Sequence, residues 1–206
     1  MLKIGVSQRV DIDQHQEIRD CLDQRWHRLL QSIQAYLVPL PNSSTDAATF
    51  FEALGLDGFI LSGGGDHPSR YKLERQIVDY ALSKNLPVLG ICHGMLFLTE
   101  YFGGNLKPIA GHVAWEHTVS FQANSWGFPE RSVKVNSYHR YSLETLPKAF
   151  KGIAFDEQGA CEAIEHTTFP IVACMWHPER EDSLSSWFSV FLNTFFKPRP
   201  CTLPKT

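Results

Sequence analysis

The sequence predicts an α/β fold, with a mostly parallel central sheet flanked by helices and a small antiparallel extension. In the N-terminal half, short apolar segments alternate with segments of helical periodicity, which is the pattern of βαβ units. In the C-terminal half, short strand-like segments are separated by Gly, Pro and Asn residues, which favours antiparallel pairing. The 206 residues suit one domain, spanning residues 1–206, with a well-formed core.

The N-terminal half supplies the predicted parallel strands and their helices. Apolar residues from Ile18 to Ile33 recur at helical spacing and predict the first helix. Asp46 is predicted to cap the second helix, because its side chain can accept hydrogen bonds from free backbone N–H groups. The predicted strands are 2–7, 36–40, 58–62 and 87–91, and the predicted helices are 15–35, 47–54, 70–84 and 94–102.

The C-terminal half is predicted to extend the sheet and to close the fold. An amphipathic helix is expected from Ser183 to Phe196, with its aromatic face packed on the sheet. Residues from Pro198 to Thr206 are expected to form a frayed tail. The predicted strands of this half are 105–121, 132–143, 152–156, 160–165 and 169–176.

Composition and charge exclude several classes of function. A net charge of −3 provides no electrostatic basis for binding nucleic acid or an anionic membrane. No apolar run approaches the length of a membrane span, and the chain enters a strand at Leu2 without the pattern of a signal peptide. The five cysteines are scattered and match neither a disulfide framework nor a zinc motif. We therefore expect a cytoplasmic protein in a reducing environment.

Residues 90–94, Gly-Ile-Cys-His-Gly, carry the strongest functional signal. They join an apolar strand to a helix, which is the cysteine form of a nucleophile elbow. Glycines are needed there because the nucleophile occupies strained backbone and flanking side chains would collide with neighbouring structure. The N-terminus of the helix is expected to favour the thiolate. We predict that Cys92 is a nucleophile; taken alone, the motif also fits a buried cysteine beside an ordinary turn.

A second segment supplies a base for this nucleophile. An apolar strand ends in His177, Pro178 and Glu179, and residues two apart on an extended strand point the same way. A thiol needs a base to activate it, and the base needs a carboxylate to hold its tautomer. His177 and Glu179 are predicted to fill these two roles, whereas an isolated His-Pro-Glu also fits a solvated loop.

A third segment, Ser-Gly-Gly-Gly-Asp at 62–66, follows another apolar strand. Consecutive glycines allow backbone N–H groups to approach a ligand closely. The N–H groups of Gly64 and His93 are predicted to form an oxyanion hole, although the loop alone also fits a flexible turn.

Together these segments resemble the class I glutamine amidotransferase-like superfamily, and within it the γ-glutamyl hydrolase branch. That pattern contains a Gly-Gly-x-Asp loop, Gly-x-Cys-x-Gly, Asn-Ser-x-His and His-Pro-Glu. The matching segments here are 64–66, 90–94, 136–139 and 177–179, in the same order and over nearly the whole chain. The resemblance implies a flavodoxin-like fold and hydrolysis of a γ-glutamyl amide through a thioester, with no cofactor.

Shorter segments, including Gly5 to Arg9 and Met175 to Glu181, resemble more narrowly the γ-glutamyl-CDP-amidate hydrolases. Those bacterial enzymes belong to pathways that make phosphoramidate decorations for capsular polysaccharide. One position departs from the family, which commonly has Gln two residues after the second elbow glycine where this chain has Leu96. Either another group holds the glutamyl end, or the acyl group is not an ordinary glutamyl, or the protein is a degenerate, inactive relative. With an active enzyme, free glutamine is expected to be a poor substrate.

Five residues are predicted to contact a small-molecule γ-glutamyl substrate. The guanidinium of Arg9, which follows the first strand, suits a carboxylate or a phosphate. The resemblance adds Gly63 of the glycine loop and the segment containing Asn136, Ser137 and His139.

No metal site is predicted. His112 and His117 lie near Glu116, but no third ligand follows at a suitable spacing. Other functions remain open: a glutaminase subunit that supplies ammonia to a partner synthetase, a hydrolase of another γ-glutamyl amine, or a non-catalytic binding protein. The sequence leaves the oligomeric state open.

Overall fold

The computed structural model describes residues 1–129, 131–182 and 184–197. Over these ranges the chain forms thirteen strands, five α-helices and one short 3₁₀ helix (Pro178–Arg180). The strands are β1 (Leu2–Ser7), β2 (Arg9–Ile12), β3 (Ile18–Cys21), β4 (Ala35–Leu40), β5 (Gly58–Leu61), β6 (Val88–Ile91), β7 (Asn105–Pro108), β8 (Val113–Phe121), β9 (Ser132–Tyr138), β10 (Tyr141–Thr145), β11 (Phe150–Asp156), β12 (Cys161–His166) and β13 (Ile171–Cys174). The helices are α1 (Arg25–Ser32), α2 (Ala47–Leu54), α3 (Pro68–Lys84), α4 (His93–Tyr101) and α5 (Ser186–Phe195).

A nine-stranded sheet in the order β4-β1-β5-β6-β13-β12-β11-β8-β9 forms the centre of the fold. The strands from β4 to β13 pair in parallel, and those from β13 to β9 pair antiparallel. This arrangement confirms the predicted α/β class with its antiparallel extension. Strand β13 joins the two portions of the sheet.

Helices cover both faces of the parallel portion. Along β5, Ile60 packs on the side of α1 and α5, whereas Phe59 and Leu61 pack on the side of α2, α3 and α4. All four residues of β5 are buried, as expected for a central parallel strand. In such a sheet, ligands usually bind beyond the carboxyl ends of the parallel strands.

The helix predicted over 15–35 is wrong in its first half, where β2 and β3 form a hairpin. The Asp13 side chain accepts hydrogen bonds from the backbone N–H groups two and four residues ahead, at 2.8 and 3.0 Å, and Gln16 has a positive φ of 64°. Ile18, which contributed to the helical pattern, is exposed. Local hydrogen bonding by an aspartate thus outweighs the apolar periodicity, and the helix begins only at Arg25.

Most other predicted elements are found. Asp46 caps α2 by accepting a hydrogen bond from the N–H of Thr49 at 3.2 Å. The strands predicted over 105–121 and 132–143 are each divided into two. Position 183, the predicted start of the last helix, and the predicted tail from 198 onwards lie outside the described residues. No helix in the described part of the chain has the length and hydropathy needed to cross a membrane.

Candidate active site

The three segments singled out in the sequence meet at one edge of the sheet. The glycine loop follows β5, Cys92 follows β6, and His177 lies three residues beyond β13. These strands are adjacent in the sheet, and because they are parallel their carboxyl ends lie on the same side. The topology therefore brings the predicted nucleophile, base and oxyanion loop together.

Cys92 occupies a strained turn between β6 and α4. Its φ of 50° and ψ of −101° are rare for a residue with a side chain, and its N–H donates to the carbonyl of Cys174 at 2.8 Å. A β-carbon at Gly90 would lie 2.9 Å from the carbonyl oxygen of Gly94, and one at Gly94 would lie 2.3 Å from that of Leu61. Both glycines are thus sterically required, which confirms the predicted reason for the motif.

Burial decides the protonation state of the thiol. Cys92 is only 8% exposed, and this burial raises the pKa of its thiol to about 11, although a hydrogen bond from the N–H of His93 acts in the opposite direction. The N–H at the start of the helix therefore favours the thiolate, as expected, but burial outweighs it. A reaction at Cys92 would accordingly need a base to remove the thiol proton.

His177 and Glu179 form the predicted pair. Their side chains are buried, and Nδ1 of His177 lies 2.7 Å from Oε1 of Glu179. A carboxylate only accepts hydrogen bonds, so Nδ1 carries the proton and Nε2 is left as the basic atom. The sequence predicted the contact between His177 and Glu179 on the assumption that both residues lie on an extended strand, and that assumption is wrong. Strand β13 ends at Cys174, and residues 178–180 form a short 3₁₀ helix that turns Glu179 back towards His177.

Asn136 holds the backbone of the same histidine. Its side-chain amide donates to the carbonyl of His177 at 2.8 Å and accepts from the N–H of His177 at 2.9 Å. The ring of Tyr138 stands edge-on to the His177 ring, with centroids 5.7 Å apart. The segment from β9 therefore positions the base.

The other predicted substrate contacts of this segment also have protein partners. The buried hydroxyl of Ser137 donates to the carbonyl of His112 at 2.8 Å, and Nδ1 of His139 is bonded to the carbonyl of Tyr141 at 2.9 Å. With the amide of Asn136 bonded to His177, the prediction that these three residues bind substrate finds no support in these contacts.

The glycine loop passes between the His177 ring and two arginines. A β-carbon at Gly63 would lie 2.5 Å from Cε1 of His177. Gly64 has a φ of 131°, and a β-carbon there would lie 3.0 Å from Nη1 of Arg70 and 3.1 Å from Cβ of Arg9. Both positions therefore exclude side chains, and the loop can approach the base closely.

A narrow cleft opens beside this loop. Arg9 and Arg180 are its two basic side chains, and the ring of Tyr138 packs under the guanidinium of Arg180 at 4.4 Å. Further residues that line the cleft are Cys21, Leu22, Asp23, Trp26, Ser62 and Glu179. Arg9 therefore lines the cleft beside the glycine loop, and its predicted contact with substrate stays a prediction.

A buried ionic network, which the sequence analysis missed, lies behind the loop. Nε of Arg70 donates to Oε1 of Glu74 at 2.9 Å, the hydroxyl of Ser7 donates to the same oxygen at 2.8 Å, and both charged side chains are fully buried. Arg70 also donates to the loop carbonyls of Ser62 and Gly65. The i,i+4 spacing of Arg70 and Glu74 on the predicted helix was the available signal.

His93 completes this network with its ring. Nε2 of His93 lies 2.8 Å from Oε2 of Glu74, and Nδ1 lies 2.9 Å from Oδ1 of Asp66. Although burial disfavours the ionised form, the hydrogen bond from His93 and the charge of Arg70 hold the pKa of Glu74 below its ordinary value. The His93 ring, bonded on both nitrogens, is not available as a base, and its contacts link the elbow to the glycine loop.

Comparison with known proteins identifies the family. The model for glutamine amidotransferase class-I matches residues 17–194. The chain belongs to this family. It is 29% identical over 204 residues to the γ-glutamyl-CDP-amidate hydrolase of Campylobacter jejuni, covering 91% of this chain and 98% of that one. It is 36% identical over 128 residues to a glutamine-hydrolysing GMP synthase subunit of Methanospirillum hungatei, covering 61% of this chain and 65% of that one.

Solved structures agree with the fold. A Thermoplasma acidophilum protein, described as a GMP synthase subunit, superposes with a TM-score of 0.74 at 26% identity, over 95% of this chain and 92% of that one. A glutamine amidotransferase of Thermotoga maritima superposes with a TM-score of 0.66 at 17% identity, over 86% of this chain and 76% of that one. Both comparisons therefore support the α/β fold described above.

The raised pKa of Cys92 predicts how its alkylation depends on pH. Because the thiolate is the reactive form, the rate with iodoacetamide is expected to rise about tenfold per pH unit between about pH 7 and about pH 9.5. Mass spectrometry of the Cys92 peptide measures this rate, with the partly exposed Cys21 as an internal reference. A plateau reached near neutral pH would contradict the prediction.

The buried network predicts that Glu74→Gln is strongly destabilising. The variant keeps the shape of the side chain but leaves Arg70 buried without its counter-charge, which costs about 3–5 kcal/mol. Denaturant unfolding measures the loss. Glu52→Gln is the matched control, since its exposed ion pair with Lys84 is worth about 1 kcal/mol or less. Equal losses in the two variants would show that the network contributes no special stability.

Proposed function

We propose that this protein is a free-standing, cysteine-dependent hydrolase that cleaves a γ-glutamyl amide bond and releases glutamate. The observation that carries the proposal is the buried His177–Glu179 pair, held beside the elbow that presents Cys92. We further propose γ-glutamyl-CDP-amidate, in the biosynthesis of capsular phosphoramidate, as the substrate. The similarity to the Campylobacter jejuni hydrolase over 98% of that protein supports this choice.

The first half of the reaction acylates the cysteine. Nε2 of His177 takes the thiol proton as the sulfur of Cys92 attacks the γ-carbonyl carbon. Glu179 keeps the imidazole in the required tautomer and stabilises the imidazolium that forms. The backbone N–H groups of Gly64 and His93 are proposed to stabilise the oxyanion. His177 then protonates the departing nitrogen, which leaves a γ-glutamyl thioester.

The second half releases glutamate. Nε2 of His177 removes a proton from a water molecule, which attacks the thioester carbonyl, and the sulfur of Cys92 departs and is reprotonated. Each step uses groups that the protein supplies, and the proton returns to the thiol at the end of the cycle.

The cleft fits an anionic leaving group. Arg9 and Arg180 line the cleft beside the glycine loop and can bind phosphate oxygens. Tyr138 is 43% exposed beside Arg180, and its ring can contact a nucleobase or ribose. Free glutamine contains only the glutamyl portion of the substrate, so it cannot make the phosphate, ribose or nucleobase contacts.

A second candidate is a glutaminase subunit that delivers ammonia to a partner synthetase. The similarity to GMP synthase subunits favours it, and such a protein would use the same cysteine, histidine and glutamate. A hydrolase of another γ-glutamyl amine is a variant of the first proposal. A free-standing hydrolase of either kind should hydrolyse γ-glutamyl compounds when purified alone. A partner-dependent glutaminase should show little activity until its synthetase is added.

The proposed triad predicts graded losses of activity. Cys92→Ala and His177→Ala are each expected to lower kcat by about 10³-fold or more, because both groups act in the same step. Glu179→Gln is expected to lose less, since the amide keeps one hydrogen bond to Nδ1 but lacks the charge that stabilises imidazolium. Steady-state kinetics and circular dichroism check activity and folding, with Cys161→Ala as the control. A turnover of the Cys92 variant equal to wild type would exclude the mechanism.

The substrate proposal predicts a preference that can be measured directly. The kcat/KM for a γ-glutamyl nucleotide phosphoramidate is expected to exceed that for glutamine by about 100-fold or more, if two charge-assisted contacts operate. Arg9→Ala and Arg180→Ala are both expected to reduce this preference; Arg9→Ala should change glutamine hydrolysis little, whereas Arg180→Ala should also slow it, because Nε of Arg180 lies 3.7 Å from Oε1 of Glu179. Mass spectrometry of the products provides the assay. Equal kcat/KM values for both substrates would contradict the proposed substrate and favour the ammonia-supplying glutaminase.

A further inference from the structure

A second cluster of polar side chains lies in the antiparallel extension and is not used by the proposed reaction. It consists of His112 just before β8, His117 on β8, His139 just after β9 and Glu162 on β12. Their side chains are 5%, 13%, 1% and 0% exposed, respectively. We call this set the histidine cluster.

The hydrogen-bonding groups of the histidine cluster are unsatisfied. Both carboxylate oxygens of Glu162 are buried with no hydrogen-bond partner among the described residues, and the same holds for Nδ1 of His112, Nε2 of His139 and both ring nitrogens of His117. A buried carboxylate without partners is strongly unfavourable, and native proteins rarely contain several such groups together. A bound cation, which accepts electron pairs from imidazole nitrogens and carboxylate oxygens, would satisfy these groups together.

The distances within the cluster are those of atoms around a common ion. Oε1 of Glu162 lies 3.7 Å from Nδ1 of His112 and 3.5 Å from Nε2 of His139, and Oε2 lies 3.5 Å from Nε2 of His117. Hydrogen bonds between such groups are typically about 2.7–3.2 Å long. Ligands of a tetrahedral zinc ion, bound at about 2.0–2.1 Å, are separated by about 3.3 Å. The ligand atoms of His112, His117 and Glu162 all lie within 4.8 Å of one another.

An outer contact directs one of the rings. Nδ1 of His139 lies 2.9 Å from the carbonyl of Tyr141, which only accepts, so the proton is on Nδ1 and the lone pair of Nε2 faces the cluster. Nε2 of His112 lies 3.4 Å from Oδ2 of Asp156, which is beyond hydrogen-bonding distance by the same measure. A histidine whose other nitrogen donates to a carbonyl or carboxylate, as that of His139 does, is the usual arrangement around a bound metal.

We propose that His112, His117 and Glu162, with His139 beside Glu162, bind a divalent transition-metal ion, for which Zn²⁺ is the best match. Imidazole and carboxylate ligands suit Zn²⁺, and three protein ligands leave a fourth position for water or for Nε2 of His139. The sequence predicted no metal because a third ligand was sought close to His112 and His117. The ligands instead come from three strands and their ends, which the folded sheet brings together.

The position of the cluster indicates what the ion does. The carbonyl of Glu162 accepts a hydrogen bond from the N–H of Met175 at 2.9 Å, two residues before His177. Asn136, which holds the backbone of His177, lies three residues before His139 on the same segment. The ion thus ties together the two segments that position the base, and it does so from outside the reacting groups.

The test begins with the full-length protein and with Zn²⁺ alone as the probe. The protein is stripped with a chelator, titrated with ZnCl₂ by calorimetry and analysed for metal by mass spectrometry. One Zn²⁺ per chain and a higher Tm are expected. Glu162→Gln and His117→Gln are expected to lower the affinity at least tenfold, whereas His27→Gln, which changes an exposed histidine, should leave it unchanged.

A second measurement separates this site from the reactive cysteine and does not depend on the folding of ligand variants. Cys92→Ala is expected to bind Zn²⁺ with the same stoichiometry and affinity. Co²⁺ in that variant should give the visible absorption of a tetrahedral nitrogen and oxygen site, without a sulfur charge-transfer band. If the folded protein binds neither ion with micromolar affinity, or if binding is lost with Cys92, the proposal is overturned. Neither readout requires hydrolytic activity.

Discussion

The close contact of the β6–α4 turn with its neighbours is the constraint on which the site depends. The carbonyl of Leu61 at the end of β5 leaves no room for a side chain at Gly94, and the N–H of Cys92 is bonded to the carbonyl of Cys174 at the end of β13. The turn is thus fixed against the neighbouring strand on each side of β6 in the sheet. Because the glycine loop continues from one and His177 from the other, these contacts set the relative positions of all three segments.

Buried charge stabilises this arrangement where apolar packing cannot. The loop and the elbow expose backbone carbonyl and N–H groups that need partners. Arg70 supplies donors to the loop carbonyls, and Glu74 balances its charge while bonding the His93 ring. A fully buried ion pair is expensive unless its remaining groups are also bonded, and here they are. The network therefore gives the glycine loop a defined shape, because the same buried ion pair also satisfies the loop carbonyls.

The parallel and antiparallel portions of the sheet position different groups of the candidate site. The parallel half presents the nucleophile and the loop at its carboxyl edge, as open α/β sheets generally do for their ligands. The antiparallel half supplies the support for the base, through the amide of Asn136 on β9 and the pairing of β12 with β13. Burial raises the pKa of the Cys92 thiol, so the proposed reaction requires a well-placed base. The extension fixes the backbone of His177, the residue proposed for that role.

The sequence alone determined the α/β class, most strands, the cap at Asp46 and the three chemical segments. Each of these depends on local features: strand periodicity, a turn that only glycine can form, or a histidine two residues from a glutamate. The sequence wrongly predicted a helix where β2 and β3 form a hairpin, because a local hydrogen bond to the Asp13 side chain outweighs the apolar periodicity.

Only the tertiary structure decided which side chains share a buried space. Ser7 meets Glu74 across 67 positions of the sequence, and Asn136 meets His177 across 41. The histidine cluster likewise assembles from separate strands whose order in the sheet differs from their order in the chain. The spacing of these residues along the sequence does not predict such contacts. They arise from strand pairing and from the burial of polar groups, which form hydrogen bonds with one another in the folded protein.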